Sequence, residues 1–282
     1  MNGGTERSYH VTGRQRLDEA LVKAGLVDSR SRAKRLILAG QVRVDGAPAD
    51  KPGSQVAEDA ALDVAQPDRF VSRGGDKLAA PLAASGIDPT DRIALDIGAS
   101  TGGFTDCLLQ GGARGVVAID VGYGQLAWSL RQDERVHVME RTNARHLQPA
   151  DLPALPSPPS LLVMDVSFIG LGKVLPAVTA LCAPATDALV LVKPQFEAGP
   201  QEVEKGGVVR SAAVRRGTVD RAADAARSLG WSIVAAHGSP LRGPAGNWEC
   251  FLQLRLDQGA SHREDWLERL EVPDDQTHGS NP

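Results

Sequence analysis

The stretch Ile93-Ala-Leu-Asp-Ile-Gly-Ala-Ser-Thr-Gly-Gly-Phe104 decides the fold, because it joins a short apolar run to a glycine-rich turn. A helical pattern begins at Thr105, and a second apolar run, Gly115-Val-Val-Ala-Ile-Asp120, ends in a carboxylate. Strand, glycine turn, helix, strand and acid follow in this order in open α/β sheets, which bind nucleotide-like ligands at the carboxyl ends of their strands. The sequence therefore predicts such a pocket, with Asp120 placed to accept hydrogen bonds from ribose hydroxyls.

The spacing of the glycines distinguishes between two cofactors. A dinucleotide site has the pattern Gly-x-Gly-x-x-Gly and holds a pyrophosphate on the helix N-terminus, whereas this turn has Gly98, Gly102 and Gly103. Asp96 precedes the first glycine by two residues, and a carboxylate there suits the cationic amino-acid end of S-adenosylmethionine better than a pyrophosphate. The alternative is a tight strand-to-helix turn without a ligand, since a glycine turn alone is weak evidence.

Composition restricts the class of protein. The 282 residues leave room for one large domain, or for a medium domain and a small one. A net charge of −4 gives no whole-chain sign of nucleic-acid binding, so any such site must be a local patch. The three cysteines are scattered, so we expect small buried side chains in a reducing compartment and no metal site. No segment resembles a signal peptide or a run of about 18 apolar residues, which indicates a cytoplasmic protein without a membrane partner.

Five regions are predicted along the chain. They are a flexible tail over 1–13, a small α+β domain over 14–64, a linker over 65–71, a large α/β domain over 72–256, and a C-terminal tail over 257–282 that is a frayed helix followed by disorder. In the small domain, helical patterns over 16–25 and 30–39 precede a strand over 41–46, whose partner is 61–64.

Seven apolar runs in the large domain alternate with helical patterns and predict a mostly parallel, doubly wound sheet. These runs are 93–97, 116–120, 136–140, 161–165, 189–193, 232–236 and 251–256. The last two lie too close in sequence for a crossover helix, so we expect them to pair antiparallel at one edge.

The second helix of the small domain is strongly basic. Arg30, Arg32, Lys34 and Arg35 place four positive charges within six residues, with no acid among them. Because the chain as a whole is near neutral, such a helix indicates a local binding site for the phosphate backbone of a nucleic acid. The alternative is a basic helix face that is only solvated.

The order helix, basic helix and Gly-x-Val-x-Val-x-Gly strand resembles the small RNA-binding domain shared by ribosomal protein S-four, pseudouridine synthases and some tRNA synthetases. The resemblance covers residues 14–64 and implies structured RNA as the partner, recognised mainly through shape and phosphates. The RNA-binding candidates of this domain are Arg16, Arg30, Arg32, Lys34 and Arg35.

Four polar residues, Lys77, Asp165, Lys193 and Glu249, stand at strand ends or in adjoining loops, where chemistry in this fold occurs. Any one of them alone is as easily structural, although a lysine that closes a buried strand is unusual. Together they suit methyl transfer to an alcohol, which must lose its proton. A lysine can act as the base when burial and a neighbouring cation lower its pKa, and two acids can balance two ammonium groups. The set is chemically sensible for ribose 2′-O-methylation.

Residues 72–256 resemble the FtsJ-type ribose 2′-O-methyltransferases, whose tetrad is lysine, aspartate, lysine and glutamate in chain order. The motifs that carry the resemblance are Ser72-Arg-Gly-Gly-Asp-Lys77, the glycine turn, Asp165-Val-Ser-Phe-Ile169, Val192-Lys-Pro-Gln-Phe-Glu197 and Gly206-Gly-Val-Val-Arg210. They are similar in particular to the TlyA, or hemolysin A, family of rRNA (cytidine-2′-O)-methyltransferases, which also has the small N-terminal RNA-binding domain. Thr101 stands where the general FtsJ pattern has proline, as in that branch.

The resemblance implies the four tetrad roles with Lys193 as base, S-adenosylmethionine as cofactor, and ribosomal RNA or ribosomal subunits as partner, with no obligate protein partner. The cofactor-binding residues it implies are Asp96, Gly98, Ser100, Thr101, Gly102, Gly103, Phe104, Asp120, Asn143 and Asp165. Arg73 and Arg210 are further candidate RNA contacts, the latter in a glycine-rich segment over 197–210 expected to be a mobile loop. Phe168 is expected to pack in the core rather than to stack on a base.

Three other functions remain open. Methylation of an RNA base usually calls for an activated cysteine or an Asn/Asp-Pro-Pro-aromatic motif, whereas the fourth strand ends in Asp165-Val-Ser-Phe168. A non-catalytic RNA-binding or ribosome-assembly factor would not need an intact tetrad. A membrane-lytic protein would need a spanning or amphipathic aromatic segment, and aromatic residues are few.

Overall fold

The computed structural model of the chain describes residues 9–11, 13–64, 69–256 and 266–275. The chain divides into two compact units, Met1–Asp68 and Arg69–Pro282. Each unit has hydrophobic core residues of its own, which the predicted division into a small and a large domain anticipates.

The first unit packs two helices against short antiparallel strands. Its elements are β1 Tyr9–His10, β2 Gln15–Arg16, α1 Leu17–Lys23, α2 Arg30–Leu38, β3 Val42–Val44, β4 Ala47–Pro48, β5 Gln55–Val56 and β6 Ala61–Val64. The described strands form one sheet in the order β1-β6-β3-β4 and one pair, β2 with β5. The predicted pairing of the strand after α2 with 61–64 is confirmed, since Val42 lies opposite Val64.

The N-terminal tail predicted over 1–13 is wrong at residues 9–11. Tyr9 and His10 pair with Leu62 and Ala61, and Val11 is fully buried. The edge of β6 offers backbone groups that need hydrogen-bond partners, and this segment supplies them. Residues 1–8 and 12 lie outside the described residues.

The second unit is built on a twisted sheet with helices on both faces. Its strands are β7 Ile93–Ile97, β8 Gly115–Ile119, β9 Val136–Met139, β10 Leu161–Met164, β11 Asp187–Val192, β12 Trp231–Gly238 and β13 Cys250–Leu256. Its helices are α3 Arg73–Ser85, α4 Gly103–Gln110, α5 Trp128–Arg131, α6 Leu175–Leu181, α7 Pro194–Glu197, α8 Ala212–Arg227 and α9 Trp266–Arg269.

Over the described residues the strand order is β12-β13-β11-β10-β7-β8-β9. The first five strands of the unit pair in parallel, and β13 is antiparallel to both β11 and β12. The predicted mostly parallel sheet with an antiparallel pair at one edge is therefore confirmed. The chain runs outward from β7 to β9 and then returns to β10, so the strand order reverses between β7 and β10.

Two hydrophobic layers hold the helices to the sheet. Leu78 of α3 and Phe104 of α4 pack in one layer with Val163 of β10, whereas Val178 of α6 and Val219 of α8 pack in the other. The central strands are buried along their whole length, which is why they appear in the sequence as continuous apolar runs.

Both predicted boundaries of the large domain need correction. Phe70 is buried, and the backbone N–H of Val71 donates to Asp106 Oδ2, so residues 69–71 belong to the second unit rather than to a linker. At the other end, Trp266 is buried and the backbone N–H of Asp275 donates to the carbonyl of Arg210. A frayed helix followed by disorder was expected over 257–282: a helix is present at Trp266–Arg269, but it is packed rather than frayed, and the expected disorder is wrong for 270–275. Residues 65–68, 257–265 and 276–282 lie outside the described part of the chain.

No helix in the described ranges is both long and apolar enough to cross a membrane.

Candidate active site

A cavity of about 460 Å³ lies at the carboxyl ends of the strands where the strand order reverses. Its wall includes Gly98 after β7, Asp120 after β8, Asn143 after β9 and Asp165 after β10. Ligands of open α/β sheets bind at this kind of switch point. These four predicted cofactor-binding residues therefore line one cavity, and a fifth, Ser100, lines it with them.

The glycine turn brings the backbone of β7 close to that of β10. Gly98 has φ +87°, and a Cβ atom there would lie 2.4 Å from the carbonyl oxygen of Asp165. A Cβ at Gly103 would lie 2.6 Å from the backbone nitrogen of Gly75 in α3. The first glycine is thus required by conformation and contact, and the other by contact with a neighbouring helix.

Asp120 is fixed by backbone groups on both sides of the cavity. Its Oδ2 accepts from the N–H of Ser100 at 2.8 Å, and its Oδ1 accepts from the N–H of Gly122 at 2.6 Å. These bonds fix the Asp120 side chain at the rim, where its remaining lone pairs can accept from hydroxyl groups. Ser100 Oγ also donates to Gln125 Oε1, and Gln125 lines the same cavity.

Asp96 lies beneath the turn and is not on the wall of either cavity described here. Its side chain is fully buried; Oδ2 accepts from Thr105 Oγ1 at 2.6 Å, and Oδ1 has no hydrogen-bond partner among the described residues. Burial is the main cause that raises the pKa of Asp96 to about 7, and the nearby Asp165 and Asp120 add to it. A cation above the turn would stabilise the ionised form of this carboxyl group.

The predicted tetrad is brought together in space. Asp165 follows β10, Lys193 follows the neighbouring strand β11, and Glu249 precedes β13, which runs antiparallel to β11. Cys250 is paired with Val192, so Glu249 and Lys193 lie next to each other at the same end of these two strands. Lys77 reaches this end from α3, one turn after the helix begins.

The four side chains form an alternating chain of charges. Lys193 Nζ lies 2.6 Å from Asp165 Oδ1, Lys77 Nζ lies 3.8 Å from Asp165 Oδ2, and Lys77 Nζ donates to Glu249 Oε2 at 2.8 Å. The side chain of Glu249 is 1% exposed and that of Lys193 is 10% exposed. Charges buried to this degree are tolerated only when they are paired, and the alternation of lysine and acid provides that pairing.

Ser167 is a site residue that the sequence reasoning missed. Lys193 Nζ donates to Ser167 Oγ at 2.7 Å, so a hydroxyl and a carboxylate hold the ammonium group from two sides. The residue stands in the motif Asp165-Val-Ser-Phe168, and its position two residues after the tetrad aspartate was the available signal.

Phe168 is not in the core. Its side chain is 89% exposed, its φ is +64°, and its ring centroid lies 5.1 Å from that of Phe196. It lines the large cavity next to Ser167. Burial is the usual fate of phenylalanine, so an exposed aromatic ring on a left-handed residue beside a cavity marks a site of contact.

A smaller cavity of about 220 Å³ shares Gly98, Ser100 and Asp165 with the larger one. It is lined by the predicted site residues Arg73, Lys77, Thr101, Gly103 and Phe104, and also by Arg242, which the sequence did not single out. Gly102 lies on neither cavity; a Cβ there would meet Leu130 at 2.3 Å. Arg210 is also absent from both walls and is paired with Glu204.

The candidate RNA-binding residues of the first unit differ in how far their charge is neutralised. Arg16 and Arg30 both donate to Asp18, whose side chain is fully buried, and Arg32 donates to Asp28 at 3.1 Å. Burial raises the pKa of Asp18, but the hydrogen bonds from the two arginines outweigh it, so that the pKa is lowered. Lys34 and Arg35 are exposed and form no ion pair within the described ranges.

Comparison with known proteins identifies the family of the chain. Residues 70–256 match the model of the FtsJ-like methyltransferases, and residues 15–62 match that of the S4 domain. The chain is 50% identical over 244 residues to the 16S/23S rRNA (cytidine-2′-O)-methyltransferase TlyA of Mycobacterium tuberculosis, a match that covers 86% of this chain and 90% of that protein. It is 39% identical to hemolysin A of Brachyspira hyodysenteriae, over 83% of this chain and 97% of that one.

A solved structure gives the same result. A candidate hemolysin of Streptococcus thermophilus superposes with a TM-score of 0.69 and 38% identity, covering 92% of this chain and 94% of that chain. The family model and the sheet topology define the chain as a methyltransferase. Within that class, the chain belongs to the TlyA family of FtsJ-like methyltransferases.

Proposed function

We propose that the protein methylates the 2′-hydroxyl of a ribose, in a cytidine of ribosomal RNA. The observation that carries the proposal is the chain Lys193–Asp165–Lys77–Glu249 at the strand ends, beside the cavity that bears Asp120. The relative from M. tuberculosis is named for this reaction, and half of its residues are identical in the matched region.

The described residues fit S-adenosylmethionine. Asp120 and Asn143 would bind the nucleoside half, on the wall of the large cavity. The backbone of Gly98 to Phe104, with Asp165, would hold the methionine half, and the unpartnered Oδ1 of Asp96 beneath the turn would stabilise its cationic end. When bound, the cofactor supplies a methyl group activated by a sulfonium.

Lys193 is the base in this proposal. Its Nζ, as the neutral amine, would take the proton of the ribose 2′-hydroxyl, and Asp165 and Ser167 orient it from two sides. Lys77 is held by Glu249 and Asp165 on the other side of the site. Glu249 is thus a positioning residue, because it contacts Lys77 and not the cavity.

Phe168 would contact the target base. The exposed ring of Phe168, beside the large cavity, offers a surface on which an RNA base can stack. The target base must unstack from its neighbours in the RNA before its ribose can reach a site at the ends of the strands. Phe196 supports the ring from behind at 5.1 Å.

Methylation of a base is disfavoured by the cysteines. Cys107 and Cys250 are buried, and none of the three cysteines lines either cavity. Burial raises the pKa of the Cys107 thiol to about 12, so it holds its proton at neutral pH. A non-catalytic RNA-binding role is disfavoured by the pairing of two lysines with two acids inside the site, which is costly to keep without a use.

The proposal is tested by transfer of a labelled methyl group. Purified protein is incubated with tritiated S-adenosylmethionine and unmodified ribosomal subunits, and nuclease digestion with mass spectrometry locates the label. We expect label on ribose, its loss in Lys193→Ala by about two orders of magnitude or more, and retention in Lys173→Ala, which removes an exposed lysine outside the tetrad. Label on a base, or none on any subunit or free rRNA, would contradict the proposal.

A further inference from the structure

The smaller cavity carries an excess of positive charge. Arg73 at the start of α3, Lys77 and Arg242 line it, and Asp165 is the acid on its wall. Arg242 lies on the loop between β12 and β13, seven residues before Glu249. No other part of the described site combines two arginines with an open surface in this way.

Hydrogen bonds to Asp275 and Gly246 hold the guanidinium group of Arg242 in place. Its Nη1 donates to Asp275 Oδ2 at 2.7 Å and to the carbonyl of Gly246 at 3.1 Å, and its side chain remains 50% exposed. Asp275 also accepts from Arg215 Nη2 at 2.7 Å, and the side chain of Arg215 is fully buried. One carboxylate between two guanidinium groups leaves a net positive charge, and the exposed member of the pair is Arg242.

We infer that Arg242 binds an RNA phosphate next to the ribose that is methylated. The inference rests on the proposed function. In RNA the 2′-hydroxyl and the 3′-phosphate are borne by adjacent carbons of one ribose, so a hydroxyl beside the tetrad brings a phosphate to the cavity that Lys77 shares with Arg242. A guanidinium fixed on one side by a carboxylate still presents N–H groups on the other side, which is the arrangement that binds phosphate oxygens.

The C-terminal segment 266–275 is part of this site through Asp275. Arg216 donates to the carbonyls of Leu267 and Leu270, so α8 fastens the segment along its length. The segment therefore positions Arg242 through Asp275.

The test compares Arg242→Gln and Arg242→Lys with wild-type protein at several salt concentrations. Arg242→Gln is expected to raise the KM for RNA about tenfold and to reduce the slope of log(kcat/KM) against log[salt] by about 0.7 to 0.9, the value of one phosphate contact. Arg242→Lys keeps the charge and should keep the slope. Cofactor affinity, measured by calorimetry without RNA, should stay within about twofold for both variants.

Arg255→Gln is the matched control. Arg255 is 47% exposed and is paired with Asp187 at 2.9 Å, but Asp187 is the first residue of β11, at the edge of the sheet away from the tetrad. This variant should leave the salt slope and the KM unchanged.

Three results would overturn the inference. If Arg242→Gln lowers the melting temperature and kcat but leaves the salt slope unchanged, the arginine only fastens the C-terminal segment. If it weakens cofactor binding instead, the cavity belongs to the carboxylate of the methionine. A wild-type protein that transfers no methyl group to RNA would contradict the proposed function itself. If the wild type is active and Arg242→Gln has the same KM and salt slope, only this inference is contradicted.

Discussion

The backbone at Gly98 sets the distance between the first strand of the sheet and the loop that carries Asp165. With φ +87° and only 2.4 Å between a notional Cβ and the carbonyl of Asp165, the position admits no side chain without movement of the tetrad aspartate. The site is therefore sensitive to a single methyl group added at Gly98.

Gly98→Ala is expected to cost about 1–3 kcal/mol in free energy of unfolding, because the left-handed conformation and the contact are both unfavourable. Methyl transfer should fall far more than stability accounts for, since Asp165 is displaced from Lys193. Urea unfolding and the labelled-methyl assay measure the two effects. Gly124→Ala is the control, with φ +71° and no atom within 4 Å of the added Cβ; an equal loss of activity there would argue against the contact as the cause.

Asp96 gives the fold a pH dependence of defined sign. Burial raises its pKa from 3.8 to about 7, so the folded state retains a proton that the unfolded state gives up near pH 4. The stabilisation from this group is fully present below about pH 4 and is lost as the pH rises to about 7. Over that window the contribution amounts to a few kcal/mol.

Asp96→Asn should therefore remove the dependence. The difference in free energy of unfolding between wild type and variant, measured with urea at pH 5 and pH 8, is expected to favour the wild type more at pH 5 than at pH 8. Asp88→Asn serves as control, since a hydrogen bond from Thr90 lowers the pKa of Asp88 and its titration ends below this window. If the difference in free energy of unfolding between wild type and Asp96→Asn is the same at pH 5 and pH 8, Asp96 is ionised at both pH values.

At the level of secondary-structure elements, α2 shows what a sequence pattern omits. Four cations within six residues predict a uniformly basic helix, yet Arg30 and Arg32 are paired with acids from elsewhere. Asp18 precedes Arg30 by 12 residues, and no local pattern indicates that the two meet. Lys34 and Arg35 carry the charge that is available to a phosphate.

Arg35→Ala should accordingly weaken RNA binding more than Arg32→Ala does. A phosphate contact by Arg35 predicts a loss of about three- to tenfold and a shallower salt dependence, whereas Arg32 is already neutralised by Asp28. Filter binding of the full chain to ribosomal RNA at two salt concentrations measures both. An equal or larger loss in Arg32→Ala would mean that the observed ion pair opens when RNA binds.

The central strands β7, β8 and β10 were predictable because each is buried on both faces and so forms a continuous apolar run. A helix was predicted within 257–282, but its packing at Trp266–Arg269 was not. It depends on Arg216, which donates to the carbonyl of Leu267, and on Arg227, which lies over the Trp266 ring; both are in α8, about 40 to 50 residues earlier. The tetrad could be predicted from its residue types and order at strand ends. The roles of Phe168 and Arg242 could not, because exposure and the neighbours across the site are properties of the folded chain; for Ser167 the one signal was its place two residues after Asp165.

On the scale of the whole molecule, the chain separates into two units with cores of their own. This predicts that cofactor binding and RNA capture can be separated. Residues 69–282 alone should bind S-adenosylmethionine within about twofold of the full chain and should methylate ribosomal RNA at least about tenfold less efficiently, because tethered binding is lost.

Calorimetry with the cofactor and labelled-methyl kinetics on the two proteins measure these quantities. A fragment as efficient as the full chain would remove the role assigned to the N-terminal unit. A fragment that binds no cofactor, while circular dichroism shows it folded, would show that the two units are not independent.

The position of β13 has a consequence for the order in which the protein becomes active during synthesis. This strand follows β12 in the chain but lies between β11 and β12 in the sheet, and Glu249 stands at its start. A nascent chain from which β13 has not yet emerged lacks Glu249, the partner of Lys77. It also exposes the edge of β11 that later forms hydrogen bonds with β13. Closure of the sheet and the arrival of Glu249 beside Lys77 are thus one event, so the proposed active site is incomplete until β13 has entered the sheet between β11 and β12.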